Sequence, residues 1–345
     1  MPSRPIPSFT RAVHLETMAG LVAKAAGPSA LMQIYDDQDV SPTLIDQPGA
    51  LLLRRDYIGL YLRAAQVMEV QSLGLVAGAS CKFSRLGPYG RYVSAAPSLL
   101  EALVRARDTV RFHESSSTFN FERAGDDIKI YYQCIDQNMI GWRHLADMCL
   151  CLLRDIVRHF LGNTWQPQRI EVSYQQGPWR HSLEENFDAS IEFNKSVIAV
   201  FVPESALSAP NAKPGTLHTK EMLAQVVEHG MRFPINFTQA GREVVHQRLL
   251  SGRTDIEGAA IKLGLTPRTF QRRLQDNGSS YRQLLSSCIA DRAAELLSGT
   301  EISDVEIAMM LGYSSEPHFI RAFKRKRGIT PGRFRRVRNG AQPVH

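Results

Sequence analysis

Long apolar runs are missing from this 345-residue chain, and no secretory leader is expected at its N-terminus. No apolar stretch approaches the ~20 residues that a helix needs to cross a bilayer. The N-terminal segment carries Arg4, Arg11 and His14 without a long apolar core, so it does not resemble a secretory signal. These absences predict a cytoplasmic protein that does not associate with a membrane.

Cysteine is scarce and irregularly spaced, which favours reduced thiols over a disulfide framework. The five cysteines are Cys81, Cys134, Cys149, Cys151 and Cys288. The pair Cys149-x-Cys151 could indicate a metal or redox site, but side chains two positions apart on a helix point in different directions. No Cys or His pair with zinc spacing lies nearby, and a lone histidine such as His144 is more often structural. We expect neither a metal nor a cofactor.

Recognisable catalytic motifs are absent as well. The segment Gly-Pro-Tyr-Gly at residues 87–90 is too short for a phosphate loop and is interrupted by a proline. Neither G-x-S-x-G nor H-E-x-x-H occurs in the sequence. The length of 345 residues and the hydrophobic content of 43% are typical of two or three globular domains. The sequence therefore predicts a globular protein that is not an enzyme.

One short pattern is present twice, in residues 260–274 and 308–323, 48 residues apart. In each copy an alanine and a leucine three positions later share a helix face. Gly264 and Gly312 then follow, at the point where a left-handed backbone ends a helix. Each copy is thus predicted to be a helix, a glycine turn and a second helix, which is the helix-turn-helix motif.

Hydroxyl and acidic residues mark where these helices begin. Thr266 precedes Pro267 in the first copy, and Ser314 or Ser315 precedes Pro317 in the second, so each is a candidate cap for the second helix. The first helices have their own caps: Thr254 or Asp255 in one copy, and a capping box of Ser303 with Glu306 in the other.

The second helix of each copy is predicted to have an apolar and a polar face. The apolar anchors are Phe270, Leu274, Phe319 and Phe323. The outward residues are Arg268, Gln271, Arg272 and Gln275 in the first copy, and His318, Arg321 and Arg325 in the second. Arginine and glutamine read guanine and adenine bidentately. An ordinary solvated face is the alternative for one such helix, whereas two in tandem favour DNA binding.

Positive charge is concentrated at the same end of the chain. Residues 236–345 hold 18 Lys plus Arg and 10 Asp plus Glu, a net charge of +8, and the other 235 residues have a net charge of −1. Nine of the 18 residues from 321 to 338 are basic and none is acidic. This run is typical of a phosphate-binding surface, with a solubilising tail as the alternative.

Residues 237–337 resemble the DNA-binding domain of AraC/XylS-type bacterial transcription regulators. The resemblance rests on the two A-x-x-L-G patterns, the turn at Gly312-Tyr313-Ser314, the run Phe319-x-x-Ala322-Phe323-Lys324 and the closing segment at residues 328–335. It implies base contacts from Arg268, Gln271, Arg272, Pro317, His318 and Arg321. The basic run adds Lys324, Arg325 and Lys326 as further DNA-binding candidates. Pro317 departs from this pattern, because its ring has no donor for a base.

The N-terminal two thirds are predicted to form an α/β (α+β) domain with a mixed sheet. Helical periodicity covers residues 9–26, 57–75, 98–112 and 142–161. Alternating residues 118–122 and 128–133 flank a turn and predict a hairpin, and strand-like segments follow at 169–174, 190–193 and 197–201. The segment from 203 to 216 is rich in Ser, Ala, Pro, Asn and Gly, which is typical of a linker.

This N-terminal portion resembles the larger effector domain of AraC-type regulators grouped with the ornithine-utilisation regulator, rather than the jelly-roll sugar pocket of the arabinose regulator. The resemblance rests on residues 73–75 and 83–87, on the helix at 98–110, and on Ile170-x-Val172 with Ile191-x-Phe193. It implies a module that senses an effector or dimerises. Candidate walls of an effector site are Phe83, Tyr89, Tyr92, Phe112 and Trp142, which could equally be plain core residues.

These observations predict three regions: an effector-sensing or dimerising domain at 9–206, a linker and connecting helix at 207–236, and an all-α DNA-binding domain at 237–337. The two helix-turn-helix units are placed at about 255–276 and 304–327. The expected partners are a double-stranded DNA operator, RNA polymerase, a small-molecule effector and a second copy of the chain. A constitutive DNA-binding protein, whose N-terminal domain only dimerises or binds protein partners, is the rival hypothesis.

Overall fold

The computed structural model describes residues 6–47, 49–212 and 219–338, which divide into two compact units. The larger unit contains residues 8–38 and 45–233, and the smaller contains 234–338 with the short segments 6–7 and 39–44. The larger unit combines helices with two sheets, and in its described part the smaller unit has helices without strands. The predicted fold class, an α/β domain followed by an all-α domain, is confirmed.

The larger unit contains nine of the described α-helices. They are α1 (Glu16–Ala25), α2 (Pro28–Asp37), α3 (Arg54–Val67), α4 (Leu73–Ser80), α5 (Gly87–Ser94), α6 (Leu99–His113), α7 (Trp142–Leu161), α8 (Arg180–Phe187) and α9 (Thr219–Gly230). The longest, α7, buries 12 residues, of which all but His144, Asp147 and Arg154 are apolar, and packs against α3 and α4. This helix is the centre of the helical layer.

Two sheets complete the larger unit. The strands are β1 (Phe9–Arg11), β2 (Leu51–Leu53), β3 (Ser117–Ala124), β4 (Asp127–Cys134), β5 (Arg169–Glu171), β6 (Ser190–Glu192) and β7 (Ile198–Pro203). β1 and β2 form a two-stranded antiparallel sheet, and the other five lie in the order β3-β4-β7-β5-β6. β5 and β6 are parallel and the remaining pairs are antiparallel, so this sheet is mixed, as the sequence predicts.

Two segments differ from the sequence prediction. Residues 9–26, predicted as one helix, begin as strand β1, because Phe9, Thr10 and Arg11 pair in register with Leu53, Leu52 and Leu51. Residues 57–75, also predicted as one helix, are split into α3 and α4 by a turn in which Glu69 takes a positive φ of 56°. In the first case strand pairing overrides a helical pattern in the sequence, and in the second a local turn interrupts it.

Two glycines explain how closely α4 approaches α7. A Cβ atom on Gly74 would lie 2.0 Å from the backbone oxygen of His144, and one on Gly78 would lie 2.7 Å from Cβ of Cys151. Any larger side chain at either position would force the helices apart. The small-residue pattern of α4 is therefore a packing requirement.

The predicted linker region, 207–236, contains ordered structure of the larger unit. Helix α9 packs against α5 and α6, and Met222 and Val226 are buried. Residues 213–218 of the predicted linker lie outside the described residues. The smaller unit begins at Pro234.

The smaller unit consists of seven α-helices in its described part. They are α10 (Phe237–Leu249), α11 (Ile256–Lys262), α12 (Pro267–Asp276), α13 (Tyr281–Gly299), α14 (Asp304–Met310), α15 (Glu316–Arg327) and α16 (Pro331–Arg338). The 19-residue helix α13 contacts α10 on one side and α14, α15 and α16 on the other. Among the helices that can be described in either unit, none combines the length and the apolar character that crossing a membrane requires.

Candidate functional site

The first helix-turn-helix unit, α11 and α12, is built as its sequence predicts. Asp255 caps α11 by accepting a hydrogen bond from the backbone N–H of Gly258, and Thr266 caps α12 by accepting one from Thr269. Between them Gly264 has a positive φ of 65°, a conformation that glycine adopts without strain. These caps fix the angle at which α12 leaves the turn.

Aromatic contacts hold α12 against its neighbours. Phe270 is fully buried, and its ring lies 5.9 Å from that of Phe237 on α10 and 5.9 Å from that of Tyr281 on α13. Leu274, one turn further along, is also fully buried. The opposite face of α12 is exposed and presents Arg268, Gln271, Arg272 and Gln275.

The second unit, α14 and α15, repeats this design around another core. Ser303 and Glu306 form the predicted capping box of α14. Ser315 stands at the N-cap position of α15 without a side-chain capping bond, and Gly312 in the turn has a φ of 77°. The buried Phe319 and Phe323 pack against Ala294, Leu297, Ile307 and Leu311, together with other apolar residues of α13 and α14.

The exposed face of α15 carries the remaining predicted DNA-binding residues. His318, Arg321, Lys324, Arg325 and Lys326 are all exposed. His318 Nδ1 lies 3.0 Å from the hydroxyl of Ser314 in the turn, so its ring is oriented before any ligand binds. Lys326 Nζ lies 3.3 Å from Ser287 Oγ on α13, and both groups remain open to solvent.

Basic residues near the end of the smaller unit fall into two groups. Arg327 pairs with Asp291 at 2.5 Å, and Arg335 donates to the backbone oxygens of Thr300, at 2.8 Å, and Ile302, at 2.5 Å. These contacts tie α15 to the middle of α13, and α16 to the residues that follow α13. Arg336 instead is exposed. Adjacent arginines thus serve different purposes, which the run of positive charge in the sequence does not reveal.

The larger unit contains a cavity of about 230 Å³. The cavity is lined by residues of the 3-10 turn at 12–15, of α1, α3, α5, α6 and α7, and of the hairpin strands β3 and β4. Glu114 and residues 80–86 complete the lining. Its walls are largely apolar and aromatic, including Tyr57, Leu145, Met148 and Leu153. A cavity of this size far exceeds the ~10–15 Å³ that one water needs, so it has room for an organic molecule.

Two of the five predicted wall residues line this cavity, Phe83 and Tyr89, whose rings lie 5.5 Å apart. The other three lie elsewhere in the unit. The Arg105 guanidinium lies 4.8 Å from the Tyr92 ring, Phe112 lies against Gly230, and Trp142 Nε1 donates to Ser173 Oγ at 2.9 Å. Tyr92, Phe112 and Trp142 are therefore packing residues that do not border this cavity.

A polar cluster that the sequence did not indicate lies in the cavity wall. It consists of His14, His113 and Glu114, whose ligand-type atoms all lie within 4.8 Å of one another. Glu114 Oε2 accepts a hydrogen bond from the hydroxyl of Tyr132 at 2.5 Å and lies 3.6 Å from Nη2 of the fully buried Arg54. Glu114 Oε1 accepts a bond from Thr10 at 3.1 Å.

Burial and charge set the protonation states in this cluster. Burial lowers the pKa of His14 to about 4 and holds the pKa of His113 well below its usual range, so both imidazoles are neutral at neutral pH. Burial by itself would raise the pKa of Glu114, but Arg54, the two histidines and the hydrogen bond from Tyr132 together outweigh it, and the pKa falls to about 2. The cavity therefore presents two neutral imidazoles and one carboxylate.

The cysteine pair of α7 is divided between two environments. Cys149 lines the cavity, whereas Cys151 Sγ lies 3.9 Å from Asn186 Oδ1. Burial raises the pKa of Cys151 to about 12 and that of Cys149 well above its usual value, so both are protonated thiols. All five cysteines of the chain are free.

Two helix-turn-helix units with exposed arginine and glutamine faces, attached to a separate α/β unit with a cavity, define the class of ligand-domain DNA-binding regulators. Residues 30–211 match the family described as the arabinose-binding domain of AraC transcription regulators, and residues 259–337 match a helix-turn-helix domain. The chain belongs to the AraC family of transcription regulators, and the family resemblance seen in the sequence is confirmed. It is a regulator that binds DNA and not an enzyme.

Relatives match the chain over most of its length. It is 25% identical to the ornithine utilization regulator of Pseudomonas aeruginosa, over 93% of this chain and 95% of that protein. It is 32% identical to the HTH-type transcriptional regulator VirS of Mycobacterium tuberculosis, over 95% and 96%. The solved structure of the regulator CdpR from Pseudomonas aeruginosa, 22% identical, covers 89% of this chain and 97% of its own, with a TM-score of 0.40.

Proposed function

We propose that this regulator reads a specific operator with α12 and α15 and that a small molecule in the cavity of the larger unit changes its affinity for DNA. The proposed reading of the operator rests on the exposed faces of α12 and α15, which present similar side chains. Arg272 and Arg321 occupy corresponding places, 49 residues apart, and both side chains are exposed. An arginine on such a face reads guanine through O6 and N7.

The length of α13 supports a two-groove arrangement. Its 19 residues span about 28 Å at ~1.5 Å each. That span approaches the ~34 Å of one duplex turn. In this proposal one protomer contacts two successive major-groove segments on one face of the operator. A footprint with two protected segments about one turn apart would support it, and a single continuous half-site of a few base pairs would contradict it.

The cavity supports the second half of the proposal. Apolar walls with a few convergent polar groups are typical of small-molecule sites. Here Tyr57, Met148 and Leu153 supply apolar wall, and His14, His113 and Glu114 supply the polar end. Among the residues proposed from the sequence, Phe83 and Tyr89 remain candidates for contacts with the effector.

A matched pair of valine substitutions tests the cavity. Val110 is 6% exposed and lines it, whereas Val76 on α4 is 43% exposed and does not. The full chain is titrated with amino acids, polyamines and signalling metabolites, while melting temperature and operator affinity are measured. A ligand that binds only the folded state raises its melting temperature by mass action. Val110→Phe should abolish the response and Val76→Phe should retain it.

The rival hypothesis gives a different result in the same experiment. If the larger unit only dimerises or binds protein partners, no compound in the library changes either the melting temperature or the affinity for the operator. Val110→Phe would then behave like Val76→Phe in DNA binding. That outcome would favour a constitutive regulator.

We further propose that the chain acts as an activator, as a homodimer that contacts RNA polymerase. This is what membership of the family suggests, and the pronounced positive charge of the smaller unit fits a DNA-bound state. Transcription from the bound promoter with purified polymerase tests activation, and sedimentation of the full chain tests dimerisation. Reduced transcription on addition of the protein would identify a repressor instead.

A further inference from the structure

We propose that His14, His113 and Glu114 form a binding site for a divalent transition-metal ion, with an open coordination position facing the cavity. Two imidazoles and one carboxylate are a donor set found at zinc and non-haem iron sites that keep a position for water or another ligand. The three ligand-type atoms lie within 4.8 Å of one another, so small side-chain rotations bring them around one ion. This assignment is independent of any organic effector.

His113 is the observation that points most directly to a ligand. Its side chain is only 6% exposed and lines the cavity, with its ring stacked on Tyr89 at 4.6 Å. Throughout the part of the chain that the structure describes, no group hydrogen-bonds to either ring nitrogen of His113. Neither nitrogen is among the fully enclosed polar atoms that lack a partner, so the ring can be reached from the cavity that it lines.

Thr10 orients the other two ligands. Its hydroxyl donates to Glu114 Oε1 at 3.1 Å and lies 3.2 Å from Nδ1 of His14. Because a hydroxyl has one proton, His14 must be the donor to Thr10, so its Nδ1 carries the hydrogen and its Nε2 keeps the lone pair. A supporting bond to the second ring nitrogen is the usual arrangement around a metal-binding histidine.

Protein donors occupy one oxygen of the Glu114 carboxylate, which leaves the other oxygen for the ion. Oε2 of Glu114 is occupied by Tyr132, Ser117 and Arg54, whereas Thr10 is the described donor to Oε1. Arg54 is also 3.9 Å from Asp136, and the buried Arg11 interacts with Glu114 and with both histidines, so two cations balance the two carboxylates here. A divalent ion therefore adds positive charge, which an anionic ligand at the open position would balance.

Protonation also suits an ion at this site. Burial keeps both imidazoles neutral and Arg54 keeps Glu114 ionised, and these are the forms in which the side chains bind metals. Protonated thiols, such as the neighbouring Cys149, are poorer ligands until they lose a proton.

The test uses the untagged full chain, freed of metal with a chelator and kept reduced by a phosphine, with Zn²⁺ and Co²⁺ as probes. One equivalent of Zn²⁺ should bind and raise the melting temperature. His14→Gln, His113→Gln and Glu114→Gln should each weaken binding by at least roughly 100-fold. Thr10→Val, which removes support from two ligands, should weaken it by about 10- to 100-fold. His181→Gln, at an exposed histidine on α8, is the matched control and should bind like the unchanged chain.

Cobalt makes the result decisive even where a variant folds poorly. Bound Co²⁺ should show visible bands without the near-ultraviolet charge-transfer band of a thiolate ligand. A thiolate band, equal Zn²⁺ affinity in all three ligand variants, or no binding to the unchanged chain would overturn the proposal. So would stabilisation of the metal-free chain by a simple alkylamine without any response to Zn²⁺, since the cluster would then be a site for an organic cation.

Discussion

The smaller and the larger unit reveal their functional residues in opposite ways. In the smaller unit the surface is formed by helices whose faces, caps and turns are each encoded within about 20 consecutive residues, and the pattern occurs twice. In the larger unit the polar cluster joins residues that are far apart in the sequence, His14 with His113 and Glu114. Sites built from local helix periodicity can be seen in a sequence, whereas sites assembled by tertiary packing cannot.

The largest effect is expected from the apolar anchors of the smaller unit. Phe319 is 1% exposed, and Phe319→Ala should reduce the free energy of unfolding of this unit by about 3–5 kcal/mol. The three tryptophans, Trp142, Trp165 and Trp179, all lie in the larger unit, so their fluorescence follows that unit alone. Circular dichroism should show an earlier transition in Phe319→Ala while the tryptophan transition stays in place.

Met309→Ala is the control for this experiment, because that side chain is 70% exposed and its loss should change stability little. If Phe319→Ala moved the tryptophan transition as far as the helical one, the two units would unfold together. Their independence would then be refuted.

Lowering the pH should also distinguish the two units, through the stability of the larger one. The folded pKa of His14 is about 4, against an ordinary value of 6.5, and that of Glu114 is about 2, against 4.5. Both are depressed, so the unfolded chain takes up protons first and the stability of the larger unit falls as the pH drops below 6.5. The loss from His14 should be complete near pH 4, and that from Glu114 near pH 2.

His14 should contribute on the order of 3 kcal/mol to this loss, and His113, whose pKa burial also lowers, should add to it. Urea unfolding followed by tryptophan fluorescence between pH 7 and pH 4 measures it. His14→Gln should flatten part of the dependence, and the exposed His181→Gln should leave it unchanged. A stability of the larger unit that does not vary over this range would show that these histidines take up protons in the folded unit as readily as in the unfolded chain.

A substitution at equivalent places of the two recognition faces tests whether both read bases. Arg272→Ala and Arg321→Ala should each cost about 1–3 kcal/mol of operator affinity and relax the preference at one or two base pairs. Affinities for a set of base-substituted operators measure this. Pro317, which has no donor, stands on the second face, so the effect of Arg321→Ala should cover fewer positions than that of Arg272→Ala. Uniform loss on all operators would identify a phosphate contact instead.

The success of the sequence predictions also differs between the smaller and the larger unit. Gly264, Gly312 and the caps at Asp255, Thr266 and Ser303 gave the helix boundaries of the smaller unit, because each acts within one turn of its own helix. In the larger unit the hairpin and α7 were predicted, since their patterns are long and regular. The strand β1 was not, because three residues paired to a distant segment carry no periodicity of their own.

The candidate wall residues show more clearly what the sequence cannot predict. Phe83 and Tyr89 line it, but Tyr92 and Trp142 are equally aromatic and lie elsewhere. Residue type says that a side chain is buried, and only the fold says whether it faces an empty volume. Adjacent His113 and Glu114 gave no signal, because their partner His14 lies about 100 positions away in the sequence.

The smallest effect on DNA binding is expected from residues that contribute only their positive charge. These are the exposed Lys326 and Arg336. If they contact phosphates, Lys326→Ala and Arg336→Ala should weaken binding to all DNA alike and reduce the slope of log affinity against log salt by about 1 each. Arg335→Ala is the informative neighbour. Arg335 bonds to the backbone oxygens of Thr300 and Ile302, so its loss should lower the melting temperature of the smaller unit and leave the salt slope unchanged. If Arg335→Ala reduced the salt slope as much as Arg336→Ala, the run of positive charge would act as one undivided surface.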